Sequence, residues 1–446
     1  MITTHPLQNL NDEYDVLIVG GGIVGAGLMR DLAMHGMRCL LVDSKDFSSQ
    51  TSSKSSKMLH GGIRYLENFD LKLVWEALHE KNLWQKLTPH LCYEAPFTTP
   101  VYKDSLRPLW MIRAGLMMYD ALSSYQNTPH QVLNAEETLA KFPKLRKYGL
   151  SGSGVYHDAI MDDVKLTLEV IYDALHEKGN TALNHVALKT FKPGEHHNQA
   201  VLQDQITGEE VLITTPITVF ATGPFTDQLL SSVKDFQWTP KLLPSKGSHL
   251  WLKKDALPIE TPLLLTPNDG RVIFVIPQKE RILVGTTEVA LDSKELFDLK
   301  ASQAEINYII SCLHEYFPLH PVSHQDILAS FAGIRPLVKE DSSSSLGKTA
   351  REHKVYQPSQ NSYVIIGGKY TTFRSMVLDL SAEILHRFGI SHNPTKTIKP
   401  LRQKSLQLPF APTAITEELK IEIQNHELVR TPEDLYLRRL DLLSMP

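Results

Sequence analysis

Cysteine is scarce in this chain of 446 residues, where only Cys39, Cys92 and Cys312 occur. With no CxxC spacing, a disulfide framework and a cysteine metal site are both excluded, no metal is expected, and a reducing compartment is the natural inference. Charge of one sign is also lacking: 46 Lys and Arg against 50 Asp and Glu leave a net charge of −4, so nothing general favours nucleic acid as a partner. No apolar run is long enough to span a bilayer. The opening MITTHPLQNLNDEYDVLIV has no basic start of a secretory signal, and its apolar end belongs to a strand. What remains is a large chain with 42% hydrophobic residues, enough for two or three domains.

The first clear pattern is strand, tight turn, helix. YDVLIV (14–19) is a short β-branched run leading into Gly20-Gly21-Gly22-Ile23-Val24-Gly25. Gly20 permits the turn, Gly22 admits a pyrophosphate against the backbone, and Gly25 allows close helix packing, with phosphates over the amides of the helix start, Ile23 included. The helix is predicted over 24–35, ended by Gly36. A second strand over 38–42 ends at Asp43, placed to accept hydrogen bonds from an adenosine ribose. Each element alone is a weak signal, but all of them in register point to a bound dinucleotide.

Downstream, SSKMLHGGIRYLE (55–67) crowds charged donors around paired glycines. Ser55, Ser56, Lys57, His60, Gly61 and Gly62 read as a cofactor side, since paired glycines let a backbone approach a flat ring closely, and Arg64 and Tyr65 read as a substrate side. Nucleotide-fold signals return at a strand-like 184–191 containing Val186, after a helix predicted over 165–177. The strand 217–221 then stops at Ala221-Thr222-Gly223. Runs at 249–252, 271–277 and 281–287, separated by turns, suggest an inserted antiparallel sheet. A helix over 301–317 precedes FAGIRPL (331–337), with Gly333 and Arg335. YVIIGGKYTTFR (363–374) is a buried strand meeting Gly367-Gly368, Lys369 and Thr371 at a helix start that suits the polar edge of a ring cofactor. The stretch 106–122, LRPLWMIRAGLMMYDAL, fits either a packed helix or an interfacial one whose arginines meet lipid phosphates. The serine-rich 339–348 suits an exposed loop that closes over a ligand.

From VGGGIVGAG through SSKMLHGGIRYLENFDLKLVWEALHE, YHDAIMDDVKL, ATGP, KGSHL, VGTTEV and AGIRPL to GGKYTTFR, the chain resembles the FAD-dependent glycerol-3-phosphate dehydrogenases of the D-amino-acid-oxidase-like flavoproteins. The resemblance implies an α/β fold: a Rossmann-like FAD-binding domain split into 14–66, 152–240 and 328–385, an inserted mixed or antiparallel sheet domain (67–151 and 241–327) for the substrate, and an abbreviated C-terminal helical cap over 386–446. It implies FAD as cofactor and oxidation of sn-glycerol 3-phosphate to dihydroxyacetone phosphate, with hydride passing to flavin N5 and electrons to a quinone. Location in the cytoplasm, peripheral on the inner membrane, is expected with it, and a homodimer is left open. Arg335 and Arg351 are the candidate phosphate ligands, joined by Arg64 and Tyr65. His249 is the candidate base, His60 being an alternative among 19 histidines. Lys369 is expected to stabilise negative charge on the reduced ring. Relatives carry Glu where Asp43 stands, and Arg where Lys165 stands. A flavin oxidase acting on another hydroxy acid or amine, and a non-catalytic metabolite sensor, are the alternatives.

Overall fold

The chain is described by a computed structural model over residues 6–11, 13–291, 296–339, 353–406 and 415–445. It is an α/β protein organised on two large sheets. The first has six strands in the order His353–Ser359, Ser362–Gly367, Ile217–Phe220, Val16–Val19, Cys39–Val42 and Thr181–Leu183. Val16–Val19 lies parallel to both neighbours and is buried along its whole length, as the unbroken VLIV run requires of a strand covered on both faces. Alternation divides it between two cores. Val16 and Ile18 meet the helices Ile23–Met34, Asp163–Leu175 and Phe373–Arg387, whereas Leu17 and Val19 face a small antiparallel sheet carrying Phe191, Leu202 and Ile213. The strand ends thus converge at one edge, where a ligand binds in folds of this type.

The second sheet has ten strands. Leu242–Lys253, Arg281–Gly285 and Ile273–Gln278 form its antiparallel centre, as the β-rich runs of the middle section suggest. One face packs on the helix Gln303–Tyr316, and the other on Leu71–Leu87 and Leu109–Leu122. Its membership departs from the expected boundaries. Ile327–Val338 pairs along Leu242–Lys253, and Leu150–Met161 pairs with Cys92–Tyr102 and with Met58–Leu59. Segments expected in the nucleotide fold from 328, from 152 and before 66 therefore belong in part to the larger sheet. Antiparallel partners far away in sequence claim their hydrogen bonds.

The expected helices appear within a few residues of their predicted ends, and 106–122 becomes the helix Leu109–Leu122 after Pro108. Towards the C-terminus, the helix Glu417–His426 and the turn Asp434–Arg439 share a small core of Ile423, Val429, Leu435 and Leu440. Charges fasten this segment to the nucleotide fold. The buried Arg439 guanidinium pairs with Asp46, and the Asp434 carboxylate lies 3.0 Å from His185 Nε2. Farther round, Arg402 and Arg30 share Asp173 at 2.7 and 2.6 Å. Lys165 donates to the Leu406 carbonyl at 2.7 Å.

Candidate active site

The glycine loop adopts the close geometry its residues allow. Gly20 has φ +112°, and a Cβ there would come 2.5 Å from the Ala221 carbonyl oxygen. A Cβ on Gly25 would lie 1.9 Å from the Gly20 carbonyl oxygen, so the helix can start this close to the strand only without one. The Ile23 amide donates to Ser52 Oγ at 3.0 Å. Asp43 closes the loop, accepting from the amides of Gly21 at 2.7 Å and Lys45 at 2.9 Å. Burial outweighs these donors and raises its carboxyl to about 6.

From this loop a cavity of about 660 Å³ runs between the two sheets, a volume suited to a cofactor-sized ligand. Gly20, Gly22, Ile23 and Asp43 line one end with Val186, Ala221 and Gly223. The other end is lined by Ser55, Ser56, His60, His249, Gly333, Arg335, Gly368, Lys369 and Thr371. Residues drawn from the whole length of the sequence meet there. The cradle without side chains, the helix amides and the acid at the second strand end fit the adenosine and pyrophosphate of FAD.

His249 is buried, with its ring 4.9 Å from that of Phe331 and nearly parallel to it. Nε2 lies 2.9 Å from Ser56 Oγ, while the buried Nδ1 has no hydrogen-bond partner among the described residues. Burial first, then the charges of Arg335 and Lys57, push this imidazole down to about 3. It is therefore neutral at physiological pH and has a lone pair to accept a proton. Arg335 donates from Nη2 to Thr286 Oγ1 at 3.0 Å and sits over Gly247, where a Cβ would meet the guanidinium at 2.5 Å. Lys369 holds its ammonium 3.7 Å from the Tyr65 ring centroid. His60 donates its amide to Thr371 Oγ1 at 3.3 Å, joining the two ring-side segments.

Other expected residues take different places. Lys57 does not line the cavity: its ammonium binds Asp163 Oδ1 at 2.6 Å and the Ser53 carbonyl at 2.8 Å. Asp163 also accepts from Ser55 Oγ at 2.6 Å, so an acid of the Asp162-Asp163 pair organises the serine loop. Gly61 and Gly62 also lie outside the lining. A Cβ on Gly61 would strike Leu78 at 2.5 Å and the Tyr119 hydroxyl at 2.6 Å, and Gly62 takes φ +76°. Their lack of a side chain serves the packing of two helices and a turn. Arg64 is exposed on the Ile63–Asn68 turn, and Tyr65 reaches the site through Lys369. Arg351 lies outside the described residues, as does nearly all of the 339–348 loop.

Sequence reasoning missed Ser52, Lys54, Asp163 and the Thr286-Thr287 pair. Asp163 and the threonines sit in motifs noticed for other residues, whereas Ser52 and Lys54 lie just before the 55–67 stretch, and only contacts made in the folded chain single them out.

The family model described as FAD dependent oxidoreductase matches residues 15–373. The aerobic glycerol-3-phosphate dehydrogenase of Staphylococcus saprophyticus is 34% identical over 400 residues, covering 87% of this chain and 71% of that protein. Its Staphylococcus aureus counterpart is 33% identical, covering 88% and 72%. Among solved structures, the glycerol-3-phosphate dehydrogenase from Bacillus halodurans complexed with FAD superposes with a TM-score of 0.75 at 24% identity, over 97% of this chain and 87% of that one. The L-alpha-glycerophosphate oxidase from Mycoplasma pneumoniae with FAD bound shares the fold at a TM-score of 0.66 and 18% identity, over 90% and 100%. The chain belongs to the FAD-dependent oxidoreductases, and within them to the family of the aerobic glycerol-3-phosphate dehydrogenases.

Proposed function

We propose that this protein oxidises sn-glycerol 3-phosphate to dihydroxyacetone phosphate and delivers the electrons to a quinone. The observation that carries the reading is the meeting of Arg335, His249 and Lys369 at one end of a cavity whose other end is a dinucleotide cradle. FAD, when bound, supplies hydride acceptance at its ring. Arg335, steadied by Thr286, offers a planar fork of donors to the substrate phosphate. The neutral imidazole of His249 takes the proton of the C2 hydroxyl, with Ser56 fixing the ring through Nε2. Lys369 places positive charge where the reduced ring gathers negative charge. Substrate orientation and charge compensation are the protein's share of the catalysis.

A peripheral membrane site completes the reading. Among the described residues no helix is long and apolar enough to cross a membrane. Trp110 and Met117 on the Leu109–Leu122 helix are 72% and 56% exposed, and Phe69 on the turn that packs against this helix is 80% exposed. Such an apolar surface suits the headgroup boundary of a bilayer, where a quinone is available.

Anaerobic mixing of the FAD-loaded protein with sn-glycerol 3-phosphate tests the central claim. Bleaching of the flavin absorbance is expected, and reoxidation by a quinone analogue should outpace reoxidation by oxygen. Absence of bleaching would overturn the substrate assignment, whereas rapid peroxide release would make the protein an oxidase.

A further inference from the structure

Two glycines face each other across the strand pair beneath the cavity. Gly247 on Leu242–Lys253 is in register with Gly333 on Ile327–Val338. Without side chains they leave a notch, and a cationic residue rests on each. The Arg335 guanidinium covers Gly247, and Lys54 covers Gly333, where a Cβ would come 2.7 Å from the Lys54 carbonyl oxygen and 2.8 Å from its Cβ. All four residues line the cavity. The neighbouring Lys57 is neutralised by Asp163, but Lys54 has no such partner. Its ammonium lies 5.7 Å from the Phe331 ring centroid, and among the described residues it makes no hydrogen bond or ion pair.

A partly buried ammonium that shares the Phe331 ring with the Lys57 ammonium is favoured by an anion that joins it. Burial first, then the charges of Lys57 and Arg438, lower the Lys54 pKa against the opposing pull of Asp163 and Asp298. Phosphoryl oxygens answer this arrangement, because a lysine supplies a mobile point charge and an arginine a fixed fork.

We propose that Lys54 is a second phosphoryl-binding cation of this cavity, standing beside Arg335 and contacting either the cofactor pyrophosphate or the substrate phosphate. The proposal rests on the reading of the cavity as a site for FAD and a phosphorylated polyol. It assigns a binding role to a lysine that the glycine loop and the HGG motif leave aside.

Lys54→Met and Lys54→Arg test it in the full chain. FAD affinity is measured by titrating the apoprotein and following flavin fluorescence. Anion binding is measured on the FAD-loaded protein from the change in flavin absorbance on adding sn-glycerol 3-phosphate or inorganic phosphate. The Met variant is expected to lose about ten-fold or more in one of these affinities, and the Arg variant to recover most of it. Weakened FAD binding with normal phosphate binding identifies the pyrophosphate as the ligand. Weakened phosphate binding with normal FAD affinity identifies the substrate. Affinities within about two-fold of wild type in both measurements, or equal losses in the Met and Arg variants, would overturn the proposal. FAD and inorganic phosphate bind without turnover, so failure of sn-glycerol 3-phosphate as a substrate would leave this result readable.

Discussion

Glu305 offers the sharpest quantitative test of how the substrate end of the cavity is held. It starts the Gln303–Tyr316 helix and is buried under the strand that carries His249. Oε1 accepts from Ser248 Oγ at 2.8 Å and Thr287 Oγ1 at 2.7 Å. Oε2 accepts from the Ser302 amide at 2.9 Å, Ser302 Oγ at 2.8 Å and Lys246 Nζ at 2.7 Å. One carboxylate therefore ties the neighbour of His249 to Thr287, whose carbonyl faces the Arg335 guanidinium at 3.4 Å. In Glu305→Ala these donors lose their acceptor and Lys246, only 12% exposed, loses its counter-charge. Breaking a buried pair in this way costs ~3–5 kcal/mol.

An independent route gives a similar figure. Burial alone would raise the Glu305 carboxyl, but Lys246, Ser302, Thr287 and Ser248 outweigh it and bring the group from 4.5 to about 2. Because the folded value is depressed, the stabilisation is present above the unfolded value and is lost as pH falls from 4.5 towards 2. That shift corresponds to ~3 kcal/mol. Urea unfolding of the FAD-loaded protein, followed by tryptophan fluorescence, should show the loss at neutral pH, with Trp251 on the affected strand as a local reporter. Glu305→Gln keeps the hydroxyl partners, which can rotate to accept from the amide, and should lose only ~1–2 kcal/mol. The difference between Glu305→Ala and wild type should shrink as pH approaches 3. The KM for sn-glycerol 3-phosphate should rise more than turnover falls, since the displaced group is Arg335. If Glu305→Ala lies within ~1 kcal/mol of wild type at neutral pH, the carboxylate is not holding these walls.

Gly25→Ala places a methyl carbon 1.9 Å from the Gly20 carbonyl oxygen, so the protein should purify with little flavin, read as the ratio of visible to ultraviolet absorbance. FAD affinity of the apoprotein should fall, by up to ~10-fold per pH unit, as pH drops below about 6. Asp43 gains a proton there and loses the charge that makes it a strong acceptor for ribose hydroxyls, so Asp43→Asn should flatten that dependence. His249→Asn should lower turnover by ~10²–10⁴-fold with flavin content unchanged, and equal turnover would remove His249 as the base. Trp110→Glu combined with Met117→Glu should abolish sedimentation with anionic lipid vesicles while leaving flavin bleaching by sn-glycerol 3-phosphate intact. Unchanged sedimentation would separate this surface from any membrane.

Much of the fold was legible because its signals are local. VLIV, the glycines and Asp43 lie within about 30 residues, the reach of one βαβ unit, and strand, turn and helix each follow from neighbours in the chain. The ends of Ile23–Met34, Cys39–Val42 and Gln303–Tyr316 were readable for the same reason. Ile327–Val338 was not. Its apolar character suits either sheet, and only its register with Leu242–Lys253 decides between them.

The site divides along the same line. Residue types and short spacings determined that this chain builds a dinucleotide cradle and carries Arg335, His249 and Lys369 in motifs suited to an anionic substrate. Tertiary structure alone decided which charges remain available to a ligand. Lys57 and Lys54 are three positions apart in one serine-rich run, yet the Lys57 ammonium meets Asp163, 106 residues away, and the Lys54 ammonium lies over the Phe331 ring with no ion pair among the described residues. His249 likewise gains its partner Ser56 across 193 residues. A side chain's charge is written in the sequence, but its neutralisation depends on which distant groups come within a few ångströms, and the folded backbone sets that distance.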